Sequence, residues 1–121
     1  MFVIRDAQFA ALADARREDF VREMMDRLRD LHDEAAAMEA GALRALVVEG
    51  TAAAEGYSLF ADDDIAPFLS CRVLYGPEFP AGDDDDWARE ILDDTNLDAD
   101  DKALRLEAQV ALLAAAADTA D

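Results

Sequence analysis

The strongest constraint on the fold is a helical repeat of apolar residues across the first 32 positions. Its members recur at spacings close to three, four or eight: Phe9, Leu12, Phe20, Met24, Leu28 and Leu31. This spacing places side chains on one face of an α-helix, and charged residues such as Glu18 and Arg22 occupy the other side in a favourable i,i+4 order. The pattern predicts a long amphipathic helix over about residues 7–32, with Asp6 as its N-cap.

Two further helices are expected before residue 76. The second has small and apolar residues along one side: Leu43, Leu46, Val47, Gly50, Ala53 and Ala54. Gly50 indicates close approach of a neighbouring backbone, and Gly56 is a natural C-terminal stop. The third helix is expected to begin at Asp62–Asp64, because negative charge favours a helix N-terminus, and to hold Pro67 in its first turn. It should end at the turn "YGPEFP".

The remaining chain predicts one short and one longer helix. Asp83–Asp86 are expected to cap and charge the N-terminus of "WAREIL", and Asp98 or Asp100 is expected to cap a last helix that runs to about Ala117. No segment longer than "FVI" has the period of a strand. The sequence therefore predicts an all-α fold, a compact single-domain array of about five antiparallel helices over residues 1–121.

Acidic residues dominate the charge. The 121 residues hold 29 acids and 11 bases, a formal net charge of -18, and residues 61–121 carry 17 acids against 4 bases, a net charge of -13. Such a potential repels nucleic acid and anionic lipid, and it favours protein partners with a basic surface. The simpler alternative is that the acidity only aids solubility.

No composition or motif indicates a cofactor, a metal site or catalysis. Asp94, Asn96, Asp98 and Asp100 match the alternating ligands of a calcium loop, but Ala99 stands where that loop needs glycine, and Arg105 where it needs glutamate. His32 is the only histidine, and it is expected at the surface near a helix end. Cys71 is the only cysteine and is expected to be buried apolar filler, in keeping with a reducing, cytoplasmic location. No leader and no apolar stretch of membrane-spanning length is evident.

A cluster of aromatic and acidic residues is the candidate binding site. Apolar anchors with a charged rim are typical of protein interfaces, although packing in the core is the competing interpretation for each aromatic ring. The predicted partner-binding residues are Asp62, Asp63, Asp64, Tyr75, Phe79, Asp84, Asp85, Asp86 and Trp87.

Several stretches together resemble a known family. They are "VIRDAQ", "FVREMMDRLRD", "LRALVVEG" with the later "GY", then "YGPEF" and "WAREILDD". The chain resembles small acidic helical proteins encoded in type VI secretion clusters of Gram-negative bacteria, beside adaptor chaperones, the VgrG spike and PAAR-tipped toxins. The similarity spans Val3 to about Leu106, with departures at residues 32–40 and at "SLFADDD".

The resemblance implies a co-chaperone role without catalysis, in which the protein joins an adaptor and a toxin and helps to load the toxin onto the spike. The second hypothesis is an immunity protein or nucleic-acid mimic whose carboxylates block a basic toxin cleft directly. In both hypotheses the partner is a protein with a basic surface, and neither nucleic acid nor membrane is bound.

Overall fold

A computed structural model describes the backbone of residues 2–119 and the side chains of residues 15–116. Its helices, in chain order, are α1 (Phe2–Leu31), α2 (Asp33–Ala36), α3 (Ala40–Gly56), α4 (Asp62–Tyr75), α5 (Asp86–Leu92) and α6 (Ala99–Thr119). No strand occurs in residues 2–119. The all-α prediction is confirmed, with six helices instead of about five because the single turn α2 separates from α1.

Helix α1 is longer than predicted. It begins at Phe2, not at Ala7, so Asp6 lies within the helix and the prediction that it is the N-cap is wrong. No glycine or proline interrupts the first 31 residues, which explains the continuous helix. In the described part of its apolar face, Met24 and Leu28 are buried, but Leu31 is 60% exposed because the chain turns away after it. The side chains of Phe9 and Leu12 lie outside the described residues.

Helix α3 follows its prediction closely. Leu43, Leu46 and Val47 are buried, and the helix ends at Gly56 as expected. Gly50 is the point of closest approach to α4, since a Cβ atom there would lie 2.5 Å from Leu69 Cδ2. The predicted reason for this glycine, close packing of a neighbouring helix, is confirmed.

Helix α4 is the centre of the fold and packs mainly against α6 and α3. Every residue from Asp64 to Cys71 is buried. Pro67 lies in the second turn, not in the first as predicted, and it cannot donate a backbone hydrogen bond there. Cys71 is fully buried, as expected, and burial raises the pKa of its thiol to about 12.

Among the described side chains of helix α6, the buried ones all lie in its first half. Asp98 caps it, because the Asp98 Oδ1 atom accepts a hydrogen bond from the Asp101 backbone N–H at 2.9 Å. Leu106 is fully buried, but all side chains from Ala111 to Ala116 are exposed. The predicted apolar face thus continues beyond the core that covers it. None of the helices, within the part of the chain that was searched, is long and apolar enough to cross a bilayer.

Candidate protein-interaction surface

The turn between α4 and α5 is held by side-chain bonds to its own backbone. The Asp85 Oδ2 atom accepts a hydrogen bond from the Gly82 backbone N–H at 2.9 Å. The Arg89 guanidinium donates to the carbonyl oxygens of Pro80 at 2.6 Å and Gly82 at 3.0 Å, and it also pairs with the Asp86 carboxylate. Arg89 therefore holds the turn in place. The turn itself was predicted, but these bonds from Arg89 were not, although an arginine three residues after an aspartate was a possible signal.

The four consecutive aspartates have different environments. Asp83 and Asp84 are exposed, Asp86 is exposed and paired with Arg89, and Asp85 is buried. Asp85 stands at the N-cap position of α5, but its side chain bonds to Gly82 instead of a helix N–H, so the predicted side-chain capping is wrong. Asp86 does supply negative charge in the first turn. Only Asp83, Asp84 and Asp86 have a carboxylate available to a partner.

The aromatic residues predicted to contact a partner form one cluster that continues into the core. Phe79 is fully buried, and its ring centroid lies 5.5 Å from that of Phe68 and 5.9 Å from that of Trp87. Tyr75 and Trp87 are half-buried, with ring centroids 5.5 Å apart. Phe79 therefore has no exposed surface for the predicted contact, whereas the outer edges of Tyr75 and Trp87 do.

The acids at the start of α4 also separate by exposure. Asp62 and Asp63 are exposed, and the Asp63 carboxylate accepts from the Arg27 guanidinium at 3.3 Å, an ion pair that joins α4 to α1. Asp64 is buried. Burial raises the pKa of Asp64, and the neighbouring carboxyl of Asp100 raises it further through a hydrogen bond and like charge.

We expect Asp64→Asn to increase the free energy of unfolding at neutral pH. Because the folded-state pKa of Asp64 is raised, the protonated group favours folding below its ordinary pKa, and this benefit is lost as the pH rises through the raised value. Asparagine is neutral at every pH, so its advantage should be largest near neutral pH and should disappear as the pH falls through the raised pKa. Urea denaturation at a series of pH values, from neutral to acidic, measures this difference in the free energy of unfolding. The exposed Asp62→Asn is the matched control. An equal gain in both variants would contradict the assignment.

Exposed carboxylates outnumber the cations near them throughout residues 61–101, here named the acidic segment. Its exposed acids are Asp62, Asp63, Glu78, Asp83, Asp84, Asp86, Glu90, Asp93, Asp98, Asp100 and Asp101. Among the side chains described, ion pairs involve only Asp63 and Asp86 of this set. The segment contains two bases, and one of them, Arg72, is half-buried over the Phe68 ring at 5.6 Å. Most of this negative charge therefore lacks a counter-charge among the side chains of residues 15–116.

The acidic residues do not converge as metal ligands. No group of three or more His, Cys, Asp or Glu side chains with suitable geometry is found among the described residues. The positions that resemble a calcium loop serve local turns instead. The Asp94 Oδ1 atom accepts from the Asn96 backbone N–H at 2.9 Å, and Asp98 caps α6.

A hydrogen bond between His32 and Ser70 links residues far apart in the chain. The His32 Nε2 atom lies 2.9 Å from the Ser70 Oγ atom, and burial lowers the pKa of His32, with Glu34 opposing this shift. His32 is thus half-buried, not at the surface as predicted. The distance is that of a nucleophile and its base. However, Ser70 is itself buried within α4. The backbone N–H groups beside it already bond within the helix and are not available to a substrate. We therefore interpret the His32–Ser70 bond as a cross-link between helices.

An open groove of about 900 Å³ lies where the end of α1, helix α4 and the outer half of α6 meet. Its apolar lining includes Leu31, Leu74, Val110 and Leu113. The His32–Ser70 bond forms part of its wall. No sequence pattern predicted this groove, because it depends on which part of α6 the core leaves uncovered.

Comparison with known proteins adds no relative. No family model, curated protein or solved structure matches the chain. The resemblance to proteins of type VI secretion clusters therefore stays a prediction. The case for a function depends on the charge, exposure and packing described above.

Proposed function

We propose that this chain is a non-enzymatic protein-binding accessory that helps an adaptor to load a toxin onto the type VI secretion spike in the cytoplasm. The observation that supports it is the surplus of exposed, unpaired carboxylates in the acidic segment. The partner is accordingly a protein with a basic surface, either the adaptor or the toxin. The secretion context comes from the motif resemblance alone.

Unpaired surface charge favours association because it attracts a complementary surface from a distance. Charges of one sign raise the encounter rate of an oppositely charged partner by about 10- to 1,000-fold, and salt weakens the effect. In contrast, a surface rich in internal ion pairs would present little net field. Among the described side chains, Asp62, Asp83 and Asp84 have no such ion pair.

The half-buried rings of Tyr75 and Trp87 supply a candidate anchor beside this charge. Trp87 directly follows Asp86 and packs on the rigid cluster around Phe79, so its exposed edge is held in place before binding. Tryptophan and tyrosine are enriched among the residues that dominate interface energies. In this proposal the carboxylates attract and orient the partner, and the two rings provide apolar contact.

Reconstitution from purified components tests the proposal. The tagged chain is mixed with the adaptor and the toxin encoded beside its gene, singly and together, and the complexes are separated by size-exclusion chromatography. We expect the chain to co-elute with the adaptor and the toxin together. Capture and inhibition of the toxin domain without the adaptor would instead show an immunity protein, and failure to bind either component would overturn the proposal.

A further inference from the structure

The groove between α1, α4 and α6 is not explained by the acidic segment. Leu113 on α6 and Leu31 at the end of α1 line it, although they are 37% and 60% exposed. Val110 and Leu74 continue the same lining and are half-buried. These side chains, from α1, α4 and α6, form an apolar floor beside the exposed end of α6. Its volume is at the upper end of the range for binding pockets, which is about 300–1,000 Å³.

The rim of this floor is strongly acidic. Carboxylates from three helices line it: Asp33 and Glu34 of α2, Asp63 of α4 and Glu107 of α6. A smaller hollow alongside α1 shares Leu31 and Glu107 with the groove and adds further acids of α1. Within the described lining, Arg27 is the one arginine or lysine, and its guanidinium is already 3.3 Å from Asp63. The lowered pKa of His32 keeps the imidazole neutral at neutral pH, so it does not offset this charge.

From the apolar floor and acidic rim together, we infer that the groove binds a basic amphipathic helix of a partner protein. Such a helix lies in a hydrophobic groove through residues spaced at i, i+3 or i+4, and i+7, and its flanks meet the rim. Lysine or arginine on those flanks would complement the carboxylates of the rim. The carboxylates also disfavour a second copy of this chain as the occupant, because two acidic rims carried by chains of net charge -18 repel each other.

The groove and the acidic segment are different binding sites, so an experiment can disprove binding at one without disproving binding at the other. Asp63 is the one acidic residue in the described lining of the groove that also belongs to the acidic segment, and none of the substitutions used to test either site changes it. If the groove binds no helix, the chain can still join an adaptor and a toxin through Asp62, Asp83, Asp84 and the ring of Trp87.

The test uses a designed peptide of about four helical turns, with leucine along one face and lysine elsewhere. Its affinity for the purified chain is measured by isothermal titration calorimetry. We expect Leu113→Asp and, separately, Leu31→Asp to weaken binding by about tenfold or more, since each removes a leucine from the contact. Aspartate adds negative charge, so an association driven only by charge would be unchanged or strengthened by these substitutions. Circular dichroism checks that each variant keeps its helices.

Two controls make the result specific. Leu104→Asp is the matched variant, since Leu104 is 63% exposed on the same helix but does not line the groove, and it should leave the affinity unchanged. A peptide of the same composition with its leucines spread around the helix should bind at least about tenfold more weakly, because its apolar residues do not share one face. Equal weakening by Leu104→Asp, equal binding of the rearranged peptide, or unchanged binding by both groove variants would overturn the inference. Sedimentation of the free chain as a dimer that Leu113→Asp dissociates would also overturn it, by assigning the groove to a second copy.

Discussion

Replacing Phe79 by alanine is expected to lower the free energy of unfolding by about 3–5 kcal/mol, the usual cost of removing a large aromatic side chain from a packed core. Phe79 is fully buried, and its ring contacts those of Phe68, Tyr75 and Trp87 at centroid distances of 5.5, 5.8 and 5.9 Å. The substitution therefore leaves a cavity where the turn before α5 joins α4. Urea denaturation followed by circular dichroism measures the change, and the fluorescence of Trp87 should report the altered packing directly.

Phe60→Ala is the matched control for this measurement. Phe60 is 66% exposed, so its removal should change the free energy of unfolding by no more than about 0.5 kcal/mol. If Phe79→Ala lowers the free energy of unfolding as little as Phe60→Ala does, the Phe79 ring is at the surface, as the interface prediction from the sequence requires. A large loss means that weakened partner binding in this variant reports on stability and not on a direct contact.

Neutralising three unpaired aspartates of the acidic segment should slow partner association by about tenfold or more. The variant Asp62→Asn, Asp83→Asn, Asp84→Asn removes charge at positions whose side chains are exposed, while the buried Asp85 and the Arg89–Asp86 pair remain. Because these charges act mainly before contact, the association rate constant should fall more than the dissociation rate constant rises. Stopped-flow kinetics with the captured adaptor or toxin measures both constants.

Salt and a second triple variant provide the controls. The association rate of the unaltered chain should decrease between about 50 and 500 mM salt, as the screening length becomes shorter. Glu39→Gln, Glu49→Gln, Glu55→Gln removes the same charge from exposed positions around α3 and should have a clearly smaller effect. Rates that do not respond to salt, or equal slowing in the two variants, would contradict a role for the acidic segment in particular.

Several features set by neighbouring residues were predicted correctly from the sequence, although the caps expected at Asp6 and in Asp83–Asp86 were not. Helix α3 ends at Gly56 as predicted, and Asp98 caps α6 because its carboxylate reaches a backbone N–H three residues later. The close packing at Gly50 was also predicted, since a small residue on an apolar helix face costs helix propensity without another benefit. In each case the interaction joins residues close together in the sequence, or it is indicated by a glycine at a helix position that would otherwise favour another residue.

Features set by distant parts of the chain were missed. His32 and Ser70 are 38 positions apart, and no pattern in either segment indicates that they meet. Asp85 looks like its exposed neighbours in the sequence, but the turn held by Arg89 places it inside. The period of α6 predicts an apolar face, but it does not predict how far along the helix the core covers that face. Consequently the acidic character of the candidate site was predictable, whereas the groove was not.

The burial of Cys71 has a practical consequence for measuring these interactions. Labelling requires an exposed thiolate that attacks the thiol-reactive dye. The Cys71 side chain has no exposed surface, and burial raises its pKa to about 12, so little thiolate forms at neutral pH. A single cysteine introduced at an exposed position such as Phe60 would therefore be labelled selectively while the native thiol stays in place. Energy transfer from such a label to a dye on the designed peptide or on the adaptor would give the position of each bound partner relative to the helices.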